Sequence, residues 1–224
     1  EGNANPYRTV FKDGDRYRMY YGSIQFDMSE TKLIFPHKAF LCYAESQDGI
    51  TFQKPDLGLV QFQGSRNNNI ILTEKTLIRG QADPGHTAIF KDDNPECPED
   101  ARYKMIIRSN GETGLLALKS SDGIRFKPMT DRVVISEGAF DSQNLAFWDP
   151  FRKEYRAYFR GFKGTSKIRD ILTATSQDFL NWSKPVFLQY PGAPKEHLYT
   201  NQLRPYYRAT HILVGFPMRY TDRG

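Results

Sequence analysis

The sequence predicts an all-β fold of the propeller type, in which repeated antiparallel sheets surround a central channel. Aromatic residues make up 14% of the 224 residues, and aromatic and β-branched residues favour strands. No stretch shows a sustained helical period with capping residues. One order of strands and turns also recurs along the chain, which indicates a repeat architecture with blades of three or four strands.

The unit that starts at Asp141 shows this order most clearly. An apolar strand over residues 145–148 leads into a turn, and residues 155–160 alternate with period two, as a strand does. A third strand over 171–175 ends in a tight turn at 176–182. Equivalent strands are predicted at 10–13, 17–22 and 41–44 in a first unit and at 89–92, 103–108 and 115–118 in a second.

The turn that closes each unit has the same pattern at 46–52, 120–126 and 176–182. A serine is followed two positions later by an aspartate, and then by an aromatic residue and a proline. Aspartate and serine side chains bind backbone N–H groups in turns of this kind. Because the aspartates recur in every complete unit, we expect them to stabilise the turns: Asp48, Asp122 and Asp178.

The repeats define one domain of about three and a half blades. The units extend over about 6–62, 83–135, 141–190 and, incompletely, 196–224. The first unit contains an insertion at 25–38, and a polar connection follows it at 63–80. A propeller ring must close to bury its last faces, so we expect these residues to be part of a longer chain.

Charge and cysteine content exclude several classes of protein. The net charge is +5, and the basic residues are spread along the strands, whereas a nucleic-acid-binding surface would cluster them. No apolar run is long enough to span a membrane. Cys42 and Cys97 lack the spacing of metal ligands. No signal peptide is visible, but a leader could have been removed from a chain that begins with Glu1, and we predict a secreted or periplasmic location.

Three acids recur where the innermost strands of successive units begin. Asp83 and Asp141 lie at the same distance before their strands, and Glu196 lies next to the corresponding position of the fourth unit. The first unit has Asn3 and Asn5 there. Carboxylates that meet at one mouth of a channel suit glycosidic bond cleavage, which needs a protonated acid and an ionised base or nucleophile. The alternative is that they cap turns.

These residues and the turns resemble one superfamily of enzymes. The turn at 176–182 resembles the blade turn Ser-x-Asp-Leu-x-x-Trp, and Ala82-Asp83-Pro84-Gly85 resembles Asn-Asp-Pro-Asn-Gly. Both motifs occur in the five-bladed propeller glycoside hydrolases, which include families 32, 43, 62 and 68. The resemblance implies that Asp83 is the base or nucleophile, Asp141 the transition-state stabiliser or pKa modulator, and Glu196 the acid.

The chain departs from that superfamily at three places. Phe140-Asp141-Ser142 replaces the Arg-Asp-Pro of the fructan-cleaving members, and Glu196-His197 replaces their Glu-Cys. The first acid also falls in the second visible unit and not in the first. The assignment of roles therefore depends on where the three acids lie in space.

Polar residues beside the acids are the predicted contacts for sugar hydroxyls: His86, Gln143, Asn144, Asn201 and Gln202. No cofactor is expected; the alternative is a calcium ion in the channel, and His197 is the residue that would hold an ion or a water there. The predicted partner is a carbohydrate, with no nucleic acid and no membrane, and the oligomeric state stays open.

Two other functions remain open. A propeller that binds carbohydrate without cleaving it would need none of the acids. A six-bladed, sialidase-like propeller would need several arginines around one carboxylate and a tyrosine nucleophile. Arg108 and Arg160 recur at one strand position, but we expect them in the middle of the blades, away from the channel mouth, which disfavours this second alternative.

Overall fold

The computed structural model describes residues 3–76, 82–165 and 167–221, and for residues 3–6 it describes the backbone alone. Within these ranges all regular structure is β, apart from one 3-10 turn at Glu99–Ala101. The strands form three four-stranded antiparallel sheets and three two-stranded ribbons. The predicted all-β class is therefore confirmed. No helix in the described part of the chain is long and apolar enough to cross a membrane.

The first sheet has the strand order β1-β2-β5-β6. Its members and the ribbon between them are β1 (Asn3–Asp13), β2 (Arg16–Ile24), β3 (Asp27–Met28), β4 (Leu33–Ile34), β5 (Phe40–Ser46) and β6 (Ile70–Leu72). The insertion at 25–38 contains the β3–β4 ribbon. The connection at 63–80 contains β6, which the sequence did not predict; its three side chains are no more than 2% exposed because β6 packs against β5 in the core.

The second and third sheets repeat the order of the first, with consecutive strands side by side. The second contains β7 (Ala82–Lys91), β8 (Tyr103–Ser109), β9 (Leu115–Ser120) and β10 (Lys127–Pro128). The third contains β11 (Leu145–Asp149), β12 (Glu154–Lys163), β13 (Ile168–Ser176) and β14 (Val186–Phe187). Within each sheet the core strands are apolar on both faces, as expected for a sheet covered on two sides.

The fourth unit is smaller and more exposed. It consists of β15 (His197–Leu198), β16 (Arg204–Tyr206), β17 (Ala209–Val214) and β18 (Arg219–Tyr220). β16 pairs with β17, and β15 pairs with β18, so that two separate ribbons replace a four-stranded sheet. Tyr207 and Phe216 are 75% and 71% exposed, which agrees with a unit that buries only part of its apolar surface.

The three turn aspartates act as the sequence predicts. The Oδ1 atom of Asp122 accepts hydrogen bonds from the backbone N–H groups of Ile124 and Arg125, both at 2.8 Å. Asp48 and Asp178 accept the equivalent pairs of bonds. Burial alone would raise the pKa of Asp122 and of Asp178, but these bonds outweigh it and hold both pKa values at about 2.

One backbone position of this turn is left-handed in all three units. Gly49 and Gly123 have φ of 75° and 76°, and glycine adopts such values without steric cost. Phe179 takes the same position in the third unit with φ of 67°. Its ring is completely buried and lies 5.2 Å from the Tyr155 ring and 5.6 Å from the Phe90 ring, and this packing offsets the strain.

Candidate functional site

The site begins at the first residues of β7, where Asp83 and His86 lie side by side. The register between β7 and β8 shifts between Asp83 and Ala88, and this irregularity turns the start of the strand. His86 Nδ1 donates a hydrogen bond to Asp83 Oδ2 at 2.7 Å, and the Gly85 N–H donates to Asp83 Oδ1 at 3.0 Å. The Asp83 carboxylate is therefore held at two oxygens by its own turn.

Asp83 is ionised in this setting. Burial would raise its pKa, but the hydrogen bond from His86, the Gly85 amide and the charge of Arg108 outweigh burial and lower it. Arg108 Nη1 lies 3.5 Å from Asp83 Oδ2, and the Arg108 side chain is 38% exposed. The amide of Gly85 thus favours the ionised form of Asp83.

Asp141 is held by a second arginine. Its Oδ1 atom forms an ion pair with Arg160 Nη2, and the Arg160 side chain is 3% exposed while that of Asp141 is 56% exposed. Burial would raise the pKa of Asp141, but the hydrogen bond and charge of Arg160, together with the more distant charge of Arg108, lower it. The charge of Arg108 thus lowers the pKa of both Asp83 and Asp141.

Two tyrosines complete this group. The Tyr7 ring lies 5.6 Å from the His86 ring, and the Tyr7 hydroxyl is hydrogen-bonded to Tyr199. Arg160 lies over the Tyr199 ring at 5.0 Å. Burial, and then the contact with Tyr199, raise the pKa of Tyr7, so its hydroxyl is neutral at ordinary pH. We call the group the acid–arginine cluster: Tyr7, Asp83, His86, Arg108, Asp141, Arg160 and Tyr199.

Two of the predicted sugar contacts instead join neighbouring units through their amide groups. Asn144 is fully buried, and its Nδ2 atom donates to the carbonyls of Phe140 at 2.9 Å and His86 at 3.1 Å. Asn201 Nδ2 donates in the same way to the carbonyl of Gln143, at 3.4 Å. Asn144 and Asn201 each donate to a carbonyl of the preceding unit, that of His86 and that of Gln143. These side chains fix the loops that carry the acids.

The remaining predicted residues have other surroundings. Gln143 is buried, whereas Gln202 is exposed and has a left-handed backbone with φ of 47°. His197 Nδ1 accepts a hydrogen bond from the Arg169 N–H at 3.2 Å. Among the described residues, no group of three or more His, Cys, Asp or Glu side chains is placed to hold a metal ion.

Of the three predicted acids, only Glu196 has no described contact with the acid–arginine cluster. Its Oε1 atom forms an ion pair with Arg219 Nη1 at 3.0 Å, and its side chain is 40% exposed. Glu196 directly precedes β15, and Arg219 is the first residue of β18. These two strands pair with each other. The structure thus joins Asp83 to Asp141 through the contacts of the cluster, and it places Glu196 in a separate ion pair.

A cavity of about 570 Å³ opens beside Asp83. Asp83, His86 and Asn110 of the second unit line it together with residues 35–39 of the first unit. The cavity lies at the junction of the first two units. Its volume falls within the range of small-molecule sites, roughly 300–1,000 Å³.

The expectation that Arg108 and Arg160 lie away from the acids is wrong. Each is near the end of the second strand of its sheet, and Arg108 is paired in register with Asp83 across β7 and β8. The recurrence of the two arginines at one strand position is visible in the sequence. The strand register that brings Arg108 to Asp83 is not. Tyr7 and Tyr199 were missed because no motif marks them.

Comparison with known proteins supports the fold. No protein-family model matches the chain, and no curated protein matches it. A solved glycoside hydrolase matches with a TM-score of 0.53 and 12% identity, covering 91% of this chain and 64% of that one. An N-acetylgalactosamine deacetylase from F. plautii, in complex with blood group B trisaccharide, matches with a TM-score of 0.50 and 14% identity, covering 82% of this chain and 53% of that one.

A glycosyl hydrolase from Bacteroides ovatus also matches, with a TM-score of 0.40 and 15% identity, covering 82% of this chain and 70% of that one. The chain thus spans about half to two thirds of the length of the two structures that it matches with a TM-score of 0.50 or more. At these identities the likeness concerns the fold. The chain therefore shares its fold with solved structures that include a glycoside hydrolase, as the resemblance in its sequence implied.

Proposed function

We propose that this chain forms the site of a glycoside hydrolase that cleaves a glycosidic bond in an oligo- or polysaccharide. One observation carries the proposal: the contacts of the acid–arginine cluster join two carboxylates, each paired with an arginine, and one of them lines a cavity of about 570 Å³. Both carboxyls have lowered pKa values and are ionised at neutral pH. Ionised carboxylates can activate water, attack the sugar carbon or stabilise its positive charge.

The proposal includes a propeller of the five-bladed type, of which this chain supplies about three and a half blades in one domain. The contacts between units support a radial arrangement. β7 packs beside β1 and β11, and Thr87 forms a parallel bridge with Asn144 of the next unit. Inner strands that run parallel and pack side by side are consistent with blades arranged around a channel.

Each acid takes one role in this proposal. Asp83 is the base or nucleophile, because it lines the cavity and its own turn holds it ionised. Asp141, which is paired with Arg160, stabilises the transition state. Glu196 is the acid, and this role requires that substrate binding break its ion pair with Arg219, since an acid must be protonated while the ion pair uses the carboxylate.

Hydrolysis of defined polysaccharides tests the proposal. We expect release of reducing sugar from at least one of arabinan, xylan, levan and inulin, and a loss of roughly 10²–10⁴-fold in the Asp83→Asn variant. Asp15→Asn is the matched control, because the Asp15 side chain is 90% exposed and lies outside the cluster. Equal activity of Asp83→Asn and the unchanged protein would exclude Asp83 from the reaction.

A propeller that binds carbohydrate without cleaving it is the second candidate. The separate ion pair of Glu196 favours it, because a cleavage site needs a proton donor close to the other carboxylates. Calorimetry with the same polysaccharides distinguishes the two functions, since a binding module gives a heat of binding and releases no reducing sugar. The sialidase-like alternative gains the two arginines, which lie beside Asp83 and Asp141, but it also needs a tyrosine paired with a glutamate, and the Tyr7 hydroxyl is hydrogen-bonded to Tyr199.

The location and the partners follow from the same proposal. A carbohydrate substrate is proposed, and a secreted or periplasmic location stays a prediction. Detection of the protein in the medium or periplasm of the producing cell would test that location.

A further inference from the structure

We infer that the insertion of the first unit forms a stacking wall for a sugar ring, with Phe35 as the platform in the cavity that Asp83 lines. The inference rests on the proposed function in that it assigns the ligand of the same cavity. It adds a binding surface that the three acids and their polar neighbours do not supply. The wall is defined as residues 35–38.

The two units contribute different chemistry to the lining of the cavity. The second unit contributes Asp83, His86 and Asn110. The wall contributes Phe35 and Pro36, and Phe35 is 56% exposed. An aromatic ring that stays this exposed in a cavity leaves apolar surface that a ligand can cover.

His37 fixes the wall from one side. Its ring is parallel to that of Phe40, with ring centres 4.1 Å apart and an angle of 1° between the planes, and it meets Phe62 edge-on at 5.4 Å. His37 Nδ1 also donates a hydrogen bond to the Lys38 carbonyl at 2.7 Å. Because Phe40 is buried at the start of β5, the wall is attached to the first sheet.

Lys38 fixes the wall from the other side. Its Nζ atom lies 2.8 Å from Glu74 Oε2, and Glu74 also lines the cavity. The chain is thus anchored at two consecutive residues just after Phe35. A surface that is already in place before binding costs less to order when the ligand arrives.

The chemistry of the lining identifies the occupant as a saccharide. A sugar ring has one face of C–H groups, which packs on an aromatic ring, and an edge of hydroxyls, which hydrogen-bonds to carboxylate, imidazole and amide groups. A purely apolar ligand would remove water from the polar groups of Asp83, His86 and Asn110 without replacing its hydrogen bonds, which is costly. A highly charged anion would meet the carboxylates of Asp83 and Glu74.

Calorimetric titration with defined tetrasaccharides of arabinose, xylose, mannose, galactose and fructose tests the inference. We expect binding of at least one of them, and a loss of about tenfold in affinity for Phe35→Ala, as for removal of one aromatic contact. Phe35→Trp keeps a platform and should keep affinity within about twofold of the unchanged protein, since a larger aromatic face can make the same contact. Met28→Ala is the control, because Met28 is 77% exposed on the same insertion and does not line the cavity.

The outcomes separate this inference from the proposed hydrolysis. Binding that falls in Phe35→Ala without any release of reducing sugar supports the stacking wall and overturns the hydrolase. Hydrolysis with an unchanged KM in Phe35→Ala supports the hydrolase and overturns the wall. Absence of binding to all five tetrasaccharides, or an equal loss in Met28→Ala, also overturns the wall. Thermal unfolding of each variant shows that a loss of binding is not a loss of folding.

Discussion

The hydroxyl of Tyr155 donates a hydrogen bond to the buried carboxylate of Asp92, at 2.7 Å, and thereby joins the third unit to the second. The Asp92 side chain is completely buried and is also paired with Lys104 of its own unit. The same relationship occurs one unit earlier, where the Tyr103 hydroxyl donates to Asp13 at 2.5 Å. The first strands of the first two units thus end at, or one residue before, an aspartate that accepts a hydrogen bond from a tyrosine of the next unit.

Replacing this tyrosine should therefore weaken the junction between two units. In Tyr155→Phe the Asp92 carboxylate loses one hydrogen bond, and we expect the free energy of unfolding to fall by roughly 1.5–3 kcal/mol, as for bonds to charged groups. Urea denaturation measures the change. Tyr207→Phe is the control, because Tyr207 is 75% exposed. An equal effect of the two substitutions would show that the contact with Asp92 contributes nothing.

The turn aspartates should make stability depend on pH in acid. The pKa values of Asp122 and Asp178 are about 2 in the folded chain, whereas an unfolded aspartate has a pKa near about 3.9. The unfolded state therefore binds more protons between these values, and the free energy of unfolding should fall as the pH falls from about 4 to about 2. Urea denaturation at a series of pH values measures this slope.

Asp122→Ala should remove part of that slope and lower the free energy of unfolding by roughly 1–2 kcal/mol at neutral pH. Saccharide binding should be unchanged, because the turn lies outside the acid–arginine cluster. The exposed Asp131, replaced by alanine, is the control. A large loss of binding with an unaltered free energy of unfolding would contradict a structural role for Asp122.

Removal of Arg108 should raise the pKa of both clustered acids. Its charge lowers the pKa of Asp83 and of Asp141, so in Arg108→Gln both carboxyls should titrate at higher pH. NMR titration of the carboxyl carbons measures the shift, and the acid limb of any pH–activity profile should move to higher pH with it. Arg125→Gln removes a 71% exposed arginine from a turn, and it should shift neither the titration of the two carboxyls nor the pH–activity profile. An unshifted titration of both carboxyls would show that they do not share Arg108.

Replacement of Glu196 tests the acid role directly. Glu196→Gln keeps the shape of the side chain and removes the proton donor, so it should slow cleavage of natural linkages by roughly 10²–10⁴-fold. Activated aryl glycosides should be spared, because their leaving group needs no protonation. Arg219→Gln is the companion variant, since it breaks the same ion pair and keeps the acid. Equal slowing of both substrate types in Glu196→Gln would rule out the acid role.

The sequence by itself determined the features that depend on neighbouring residues. The turn aspartates were predictable because Asp122 binds backbone N–H groups two and three residues further on. The order of strands followed from the same local patterns. The ionised state of Asp83 was predictable for the same reason, since the amide of Gly85 is two residues away.

Only the tertiary structure decided the features that join distant residues. β6 is a strand because it pairs with β5, about 30 residues earlier, although polar residues surround it in sequence. Arg108 reaches Asp83 because the register of β7 against β8 places them opposite each other. The insertion lines the cavity because His37 packs on Phe40 and Lys38 pairs with Glu74. Short-range hydrogen bonds depend on residues that are close in sequence, whereas strand register and packing between units depend on the free energy of the whole fold.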